Sequence, residues 1–218
     1  MISFKLRAFA AVLALAACVM MFTGCAGKAE DVKLLTEDQA KEYVSKNYPA
    51  AEYSGKETLS DGVKFRFRDE LCGFEFSVVS STEKKYFDAT VVGYGENTSD
   101  NWKDSYCGYL KKAASSKADE IAKANGLRLM WNNDLSHILY IGTDKSVSDL
   151  GPVLKELGAV LKAEDKHHKL DKATLYCYNG AMPGESDKAE IFAVYYFETD
   201  ETVDAETFFA RSKDSSNV

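Results

Sequence analysis

The densest gathering of metal-ligand residue types in this chain is Glu164-Asp165-Lys166-His167-His168. A zinc site needs several His, Cys or carboxylate donors converging on one point. Adjacent positions on a helix point about 100° apart, so a single helix end does not aim both imidazoles at one ion. A histidine closing a helix has a simpler role, because a cationic ring there interacts favourably with the last carbonyls. The spacing therefore assigns no metal site and no cofactor.

Nucleophilic catalysis needs a Ser or Cys on an ordered turn and a histidine base oriented by an acid. Ser136-His137 falls at a turn-to-strand junction, where an edge imidazole is the plainer reading, and no Gly-x-Ser-x-Gly elbow occurs. Gly93-Tyr94-Gly95 lacks the third glycine and the Lys-Ser/Thr of a phosphate cradle. Paired carboxylates for hydrolysis have no sequence signature here, since 34 Asp+Glu are spread along the chain and their separation is a structural quantity. The aromatic strand residues Tyr176, Tyr178, Tyr195, Tyr196 and Phe197 offer a different chemistry. Successive strand positions face opposite sides, so some of these rings leave the core: they either present a sugar- or peptide-binding surface or, as the plainer reading, are strand-forming tyrosines whose hydroxyls tolerate water.

The N-terminus bears on where this chemistry takes place. Lys5 and Arg7 precede an apolar run from Ala8 to Phe22, about 15 residues and short for a bilayer span. The run ends in Phe22-Thr23-Gly24-Cys25, which resembles the lipobox of bacterial lipoproteins, with Phe22 where Leu is usual. The resemblance implies a signal peptide over 1–24, cleavage before Cys25, and diacylglycerol and palmitate on that cysteine. The chain would then be anchored by lipid on the outer side of the cell membrane, or in the outer membrane. Residues 25–35 are small or charged at their start and form a tether, which at roughly 3.3–3.6 Å per residue reaches only about 35 Å.

Removing residues 1–24 takes Lys5 and Arg7 and no acid, moving the formal charge from −7 to −9. An acidic body repels phosphates, which disfavours nucleic acid, and none is expected as a partner. The lysines are interspersed with acids, so membrane attachment rests on the lipids. In an oxidising compartment, Cys72, Cys107 and Cys177 remain once Cys25 is lipidated. Three thiols cannot all pair internally: a Cys72–Cys107 bridge leaving one thiol free is one outcome, and three buried reduced thiols is the other.

The elements that must position these residues alternate between helices and paired strands. Thr36-Glu37-Asp38-Gln39 reads as a capping box opening a helix to about Asn47, stopped by Pro49. Val63, Phe65 and Phe67 alternate with Lys64, Arg66 and Arg68, and Phe74, Phe76 and Val78 alternate with Glu75 and Ser77. Both patterns predict half-buried strands. A hairpin between them would set Glu75 near Arg66 or Arg68, a pair contributing only ~0.2–1 kcal/mol. Residues 86–94 add a strand before a Gly/Asn/Ser-rich turn at Gly93 to Asp100, which also serves as the module boundary.

A helix is expected from about Asn101 to Asn125, with Tyr106, Leu110, Ala113, Ala114, Ala118, Ile121 and Ala122 as its apolar stripe and Gly126 as its stop. A hairpin follows over Leu127–Trp131 and His137–Ile141. Next come a helix from about Val147 to Asp165, strands near Thr174–Asn179 and Glu190–Glu198, and a last short helix capped by Asp204. The predicted fold class is α+β: repeated helix-plus-antiparallel-hairpin units packing helices on small sheets. An N-terminal module spans 36–95 and one or more C-terminal modules span 101–218.

Residues 34–80 resemble a PepSY domain. Leu35-Thr36-Glu37-Asp38-Gln39-Ala40 opens the helix, Asn47-Tyr48-Pro49-Ala50-Ala51 ends it, and Phe65-Arg66-Phe67 is the alternating aromatic strand. The resemblance implies binding or restraint of a peptidase near the envelope and carries over no catalytic residue. The function read from the sequence is thus noncatalytic binding of an envelope protein or peptide partner by a membrane-anchored lipoprotein. The alternative is an envelope hydrolase using its carboxylates.

Overall fold

The structure is a computed structural model in which residues 29–214 are described. The signal segment 1–24 and Cys25 lie outside the described residues. The chain has an α+β fold and divides into two compact units: 1–68 with 77–100, and 69–76 with 101–218. The short segment between two strands of the first unit thus belongs to the second.

In the first unit, α1 (Glu37–Asn47) opens with the capping box the sequence encodes. Gln39 N donates to Thr36 Oγ1 at 3.3 Å and Thr36 N donates to Gln39 Oε1 at 2.9 Å. Its Ala40 and Val44 are buried. Four strands follow, β1 (Ala51–Thr58), β2 (Gly62–Asp69), β3 (Glu75–Phe87) and β4 (Thr90–Asp100), in the spatial order β1-β2-β3-β4. Phe65, Phe67 and Val78 are buried as their alternation demands. Arg66 finds its acid on β1, with Nη2 2.5 Å from Glu57 Oε2.

The Gly93 to Asp100 segment is strand rather than turn. It pairs antiparallel with β3 from Val78↔Asp100 to Lys85↔Gly93, and this ladder overrides the local turn preference of Gly, Asn and Ser. The reversal falls instead at Asp88-Ala89, both left-handed (φ 44° and 63°), in the two-residue hairpin geometry whose twist matches that of the strands. The expected tether is partly structured: Ala29–Asp31 form a turn of 3₁₀ helix, and Leu35 N donates to Ser80 Oγ at 3.0 Å.

In the second unit, α2 (Trp102–Asn125) buries Tyr106, Leu110, Ala114, Ala118 and Ala122, while Ala113 is exposed. Gly126 ends it in the left-handed conformation, φ 66°. The remaining elements are β5 (Arg128–Trp131), β6 (Leu139–Thr143), α3 (Val147–Glu164), β7 (Thr174–Asn179), β8 (Ile191–Tyr196), β9 (Glu201–Asp204) and α4 (Ala205–Asp214). Ser146 caps α3, accepting from Asp149 N at 3.3 Å. Leu150, Leu154, Leu157 and Leu161 are fully buried along its inner face, each contributing about 1.5–3 kcal/mol by burial.

The two helix-plus-hairpin repeats expected in this half are joined. β6 pairs parallel with β7, making one five-stranded mixed sheet in the order β5-β6-β7-β8-β9, with α3 as the crossover between its parallel strands.

Candidate functional site

The segment Asp69-Glu70-Leu71-Cys72-Gly73-Phe74 is a closed loop built by its own aspartate. Asp69 Oδ1 accepts from Cys72 N at 2.9 Å, Gly73 N donates to Asp69 O at 2.8 Å, and Asp69 N donates to Phe74 O at 2.9 Å. Gly73 takes φ 74°, which a side chain would resist. The Asp69 side chain is fully buried, and its second oxygen, Oδ2, lies 2.8 Å from His167 Nε2. The contact is close but misaligned. Neither atom has a hydrogen-bond partner of acceptable geometry, although both are buried.

His167 reaches this point because α3 ends in a turn organised by another buried carboxylate. Asp165 accepts from the Tyr106 hydroxyl at 2.5 Å, from Leu170 N at 2.7 Å and from Lys169 N at 3.0 Å. His167 N in turn donates to Tyr106 Oη at 3.2 Å. The imidazole is wedged edge-on against Trp102 and Tyr106, with both ring centroids 5.1 Å away. His168 adopts φ 53° and is exposed. The adjacent histidines are therefore separated, as their spacing implies. The buried one faces a carboxylate from a distant loop, a partner no local spacing announces.

The Cys72 thiol completes this cluster. Asp69, Cys72 and His167 bring an oxygen, a sulfur and a nitrogen within 4.8 Å of one another. Burial, and after it the Asp69 charge, push the Cys72 thiol up to about 11, while the nearby Tyr109 hydroxyl opposes the shift. Cys107 and Cys177 are buried, and all three thiols are free in the structure.

The other sequence candidates fall elsewhere. His137 stacks on Tyr176 with centroids 4.4 Å apart, and its ring nitrogens face Thr174 Oγ1 at 3.1 Å and Tyr176 Oη at 3.4 Å. Those hydroxyl partners make it a packed edge histidine. Of the five strand aromatics, Tyr195 and Phe197 are fully buried and Tyr178 is nearly so. Tyr176 and Tyr196 are half-buried, and Phe208 of α4 packs on both. The sheet thus offers a partly covered face, not an open platform. A groove of ≈ 440 Å³ beside it, lined by Tyr178, Pro183, Ile191 and Phe209, carries one carboxylate, Glu190.

The largest group of exposed apolar side chains lies on the β3/β4 hairpin. Tyr86 (62%), Phe87 (75%), Val91 (38%) and Val92 (47%) account for four of the six large apolar residues that are exposed among the described residues. Tyr86 pairs with Val91 on one face, and Phe87 pairs with Thr90 on the other. Apolar residues therefore emerge on both sides of the hairpin end. The signal was present in the sequence: Tyr86-Phe87 and Val91-Val92 are adjacent apolar pairs, and a sheet with one buried face cannot bury both members of such a pair.

Among the described residues, no helix is long and apolar enough to cross a membrane. No protein-family model matches the chain, and no curated protein or solved structure is similar enough to it to count as a match.

Proposed function

We propose that this chain is a lipid-anchored extracytoplasmic lipoprotein that binds an envelope protein partner without catalysis, using the end of the β3/β4 hairpin as its recognition surface. The observation that carries this reading is the cluster of Tyr86, Phe87, Val91 and Val92 on a two-residue hairpin. Single exposed apolar residues are ordinary, but four on one hairpin end form a patch of the kind that marks an interaction site. β4 is the terminal strand of its sheet, the position at which an extended peptide can add as a further strand. Such a peptide would gain main-chain hydrogen bonds from β4 and apolar contacts from Tyr86 and Val91. The lipobox-like Cys25 and the PepSY-like helix-then-strand order of residues 34–80 support the same reading, since both point to an envelope protein acting near the membrane.

Replacing Phe87 with a photo-crosslinking phenylalanine analogue on intact cells tests this. One envelope protein should be captured, and the adduct should disappear with Tyr86→Ser plus Val91→Asp and weaken with Cys25→Ala. Adducts with lipid alone, or a protein adduct indifferent to the Tyr86 and Val91 changes, would overturn the proposal.

A further inference from the structure

Asp69 and His167 present a problem of unsatisfied chemistry. A buried carboxylate oxygen and a buried imidazole nitrogen sit 2.8 Å apart, yet neither makes an aligned hydrogen bond. An Asp–His pair built for stability would point the ring N–H along the line to the oxygen, because the strength of such a bond falls steeply with misalignment. Leaving a buried polar group without a partner is costly, because its lost hydration is not replaced. Around them, Asp69 Oδ1 is bound by Cys72 N, Asp165 takes three donors, and Trp102 and Tyr106 pack edge-on against the imidazole. The two buried atoms thus face each other in an ordered setting without bonding to each other. The third ligand-bearing side chain within reach is Cys72.

We propose that Asp69 Oδ2, Cys72 Sγ and His167 Nε2 form a transition-metal site of the Zn²⁺ class, with a fourth position open to water or to a donor from a partner. Bond lengths of about 2.0–2.1 Å to nitrogen and oxygen and about 2.3 Å to sulfur place tetrahedral donors roughly 3.3–3.6 Å apart. All three atoms lie within 4.8 Å of one another, and the 2.8 Å between Asp69 and His167 would have to open by about 0.5 Å to reach that spacing on binding. The donor set selects the metal: a thiolate and an imidazole suit Zn²⁺, whereas Ca²⁺ and Mg²⁺ take oxygen ligands. On binding, a Zn–S bond forms, the Cys72 S–H bond breaks, and the proton leaves to solvent with no change of oxidation state. The ion would clip the Asp69–Phe76 segment to the turn after α3, two pieces of the second unit that the chain brings together from far apart.

The test is a titration of the full chain, purified without an affinity tag and stripped with chelator, using Co²⁺ and then Zn²⁺. One equivalent of Co²⁺ should give a near-ultraviolet thiolate charge-transfer band that Zn²⁺ abolishes. X-ray absorption of the zinc form should find one sulfur per metal. Cys72→Ser should remove the band and weaken Zn²⁺ binding at least about tenfold. Asp69→Asn, which keeps an acceptor for Cys72 N, should weaken it while preserving the far-ultraviolet spectrum, and it serves if Cys72→Ser does not fold. No stoichiometric band, a sulfur count other than one, or unchanged affinity in a folded variant would overturn the proposal.

Discussion

Gly158 of α3 lies against the ring of Tyr195 on β8: a Cβ built on Gly158 would stand 2.5 Å from the phenol oxygen and 2.7 Å from Cε1. The tyrosine is fully buried, and its hydroxyl donates to Asp200 Oδ1 at 2.6 Å, so the ring is held from both ends. Gly158→Ala should therefore destabilise the second unit by about 1–3 kcal/mol through overpacking, despite the better helix propensity of alanine. Trp102 and Trp131 both belong to that unit, so intrinsic fluorescence during denaturant unfolding reads it. Tyr195→Leu in the same chain should reduce the penalty of Gly158→Ala, and simple additivity of the two changes would show that the contact does not matter.

That relationship also shows where sequence reasoning stops. α1, α2 and α3 were legible to within a few residues because Thr36, Gly126 and the leucines of α3 act through local caps and helical spacing. Phe65 and Phe67 announced β2 by alternation. The parallel pairing of β6 with β7, the close fit of Gly158 under Tyr195, and the meeting of Asp69 with His167 depend on long-range placement that no local pattern encodes. Gly93 to Asp100 misled for the opposite reason: its residue types favour turns, and only the ladder to β3 makes it strand.

Asp165 organises the turn that delivers His167. Its carboxylate satisfies two backbone N–H groups and the Tyr106 hydroxyl in a buried setting. Asp165→Ala should cost about 2–4 kcal/mol, since it strands three donors at once. Asp165→Asn retains one acceptor oxygen and should cost less. Equal losses for the two substitutions would mean that space, not hydrogen bonding, explains the residue.

Ala89 takes a left-handed backbone at the hairpin turn, φ 63°, where glycine pays no Cβ penalty. Ala89→Gly creates the Asp-Gly pair favoured by this turn type and should stabilise the hairpin by about 0.5–1 kcal/mol. Slower amide exchange in Lys84–Gly95 would show it. Faster exchange would mean that the strain at Ala89 is not what limits hairpin opening.

Thiol chemistry separates the two fates of the cysteines. The structure holds Cys72, Cys107 and Cys177 as free thiols, with burial pushing Cys177 up to about 12 and Cys107 up to about 11. At pH 8, Cys177 should resist a water-soluble disulfide reagent in the folded state. Denatured protein lacking residues 1–25 should yield three thiols. A yield of one would establish an internal bridge, and if that bridge included Cys72 it would also remove the sulfur from the metal site.

Alkaline pH should weaken the first unit through Asp100. Tyr43 donates to Asp100 Oδ2 at 2.6 Å and Tyr48 donates to Oδ1 at 3.0 Å, so one carboxylate ties the end of β4 to α1 and to the residue that follows it. The hydrogen bond to this anion is made by the neutral phenol, and with burial it pushes Tyr43 up to about 12. The sign follows from proton counting. Above the ordinary phenol range near 10 the unfolded chain loses its proton while the folded chain keeps it, so stability falls as pH rises from about 10 to about 12. The contribution is fully present below pH 10. Tyr43→Phe should remove about 0.5–1.5 kcal/mol at neutral pH and reduce that alkaline loss, the Tyr48 bond to the same carboxylate retaining its share. A variant that lost stability at pH 7 but kept the same alkaline slope would assign the slope to other tyrosines and leave the Tyr43 contact purely structural.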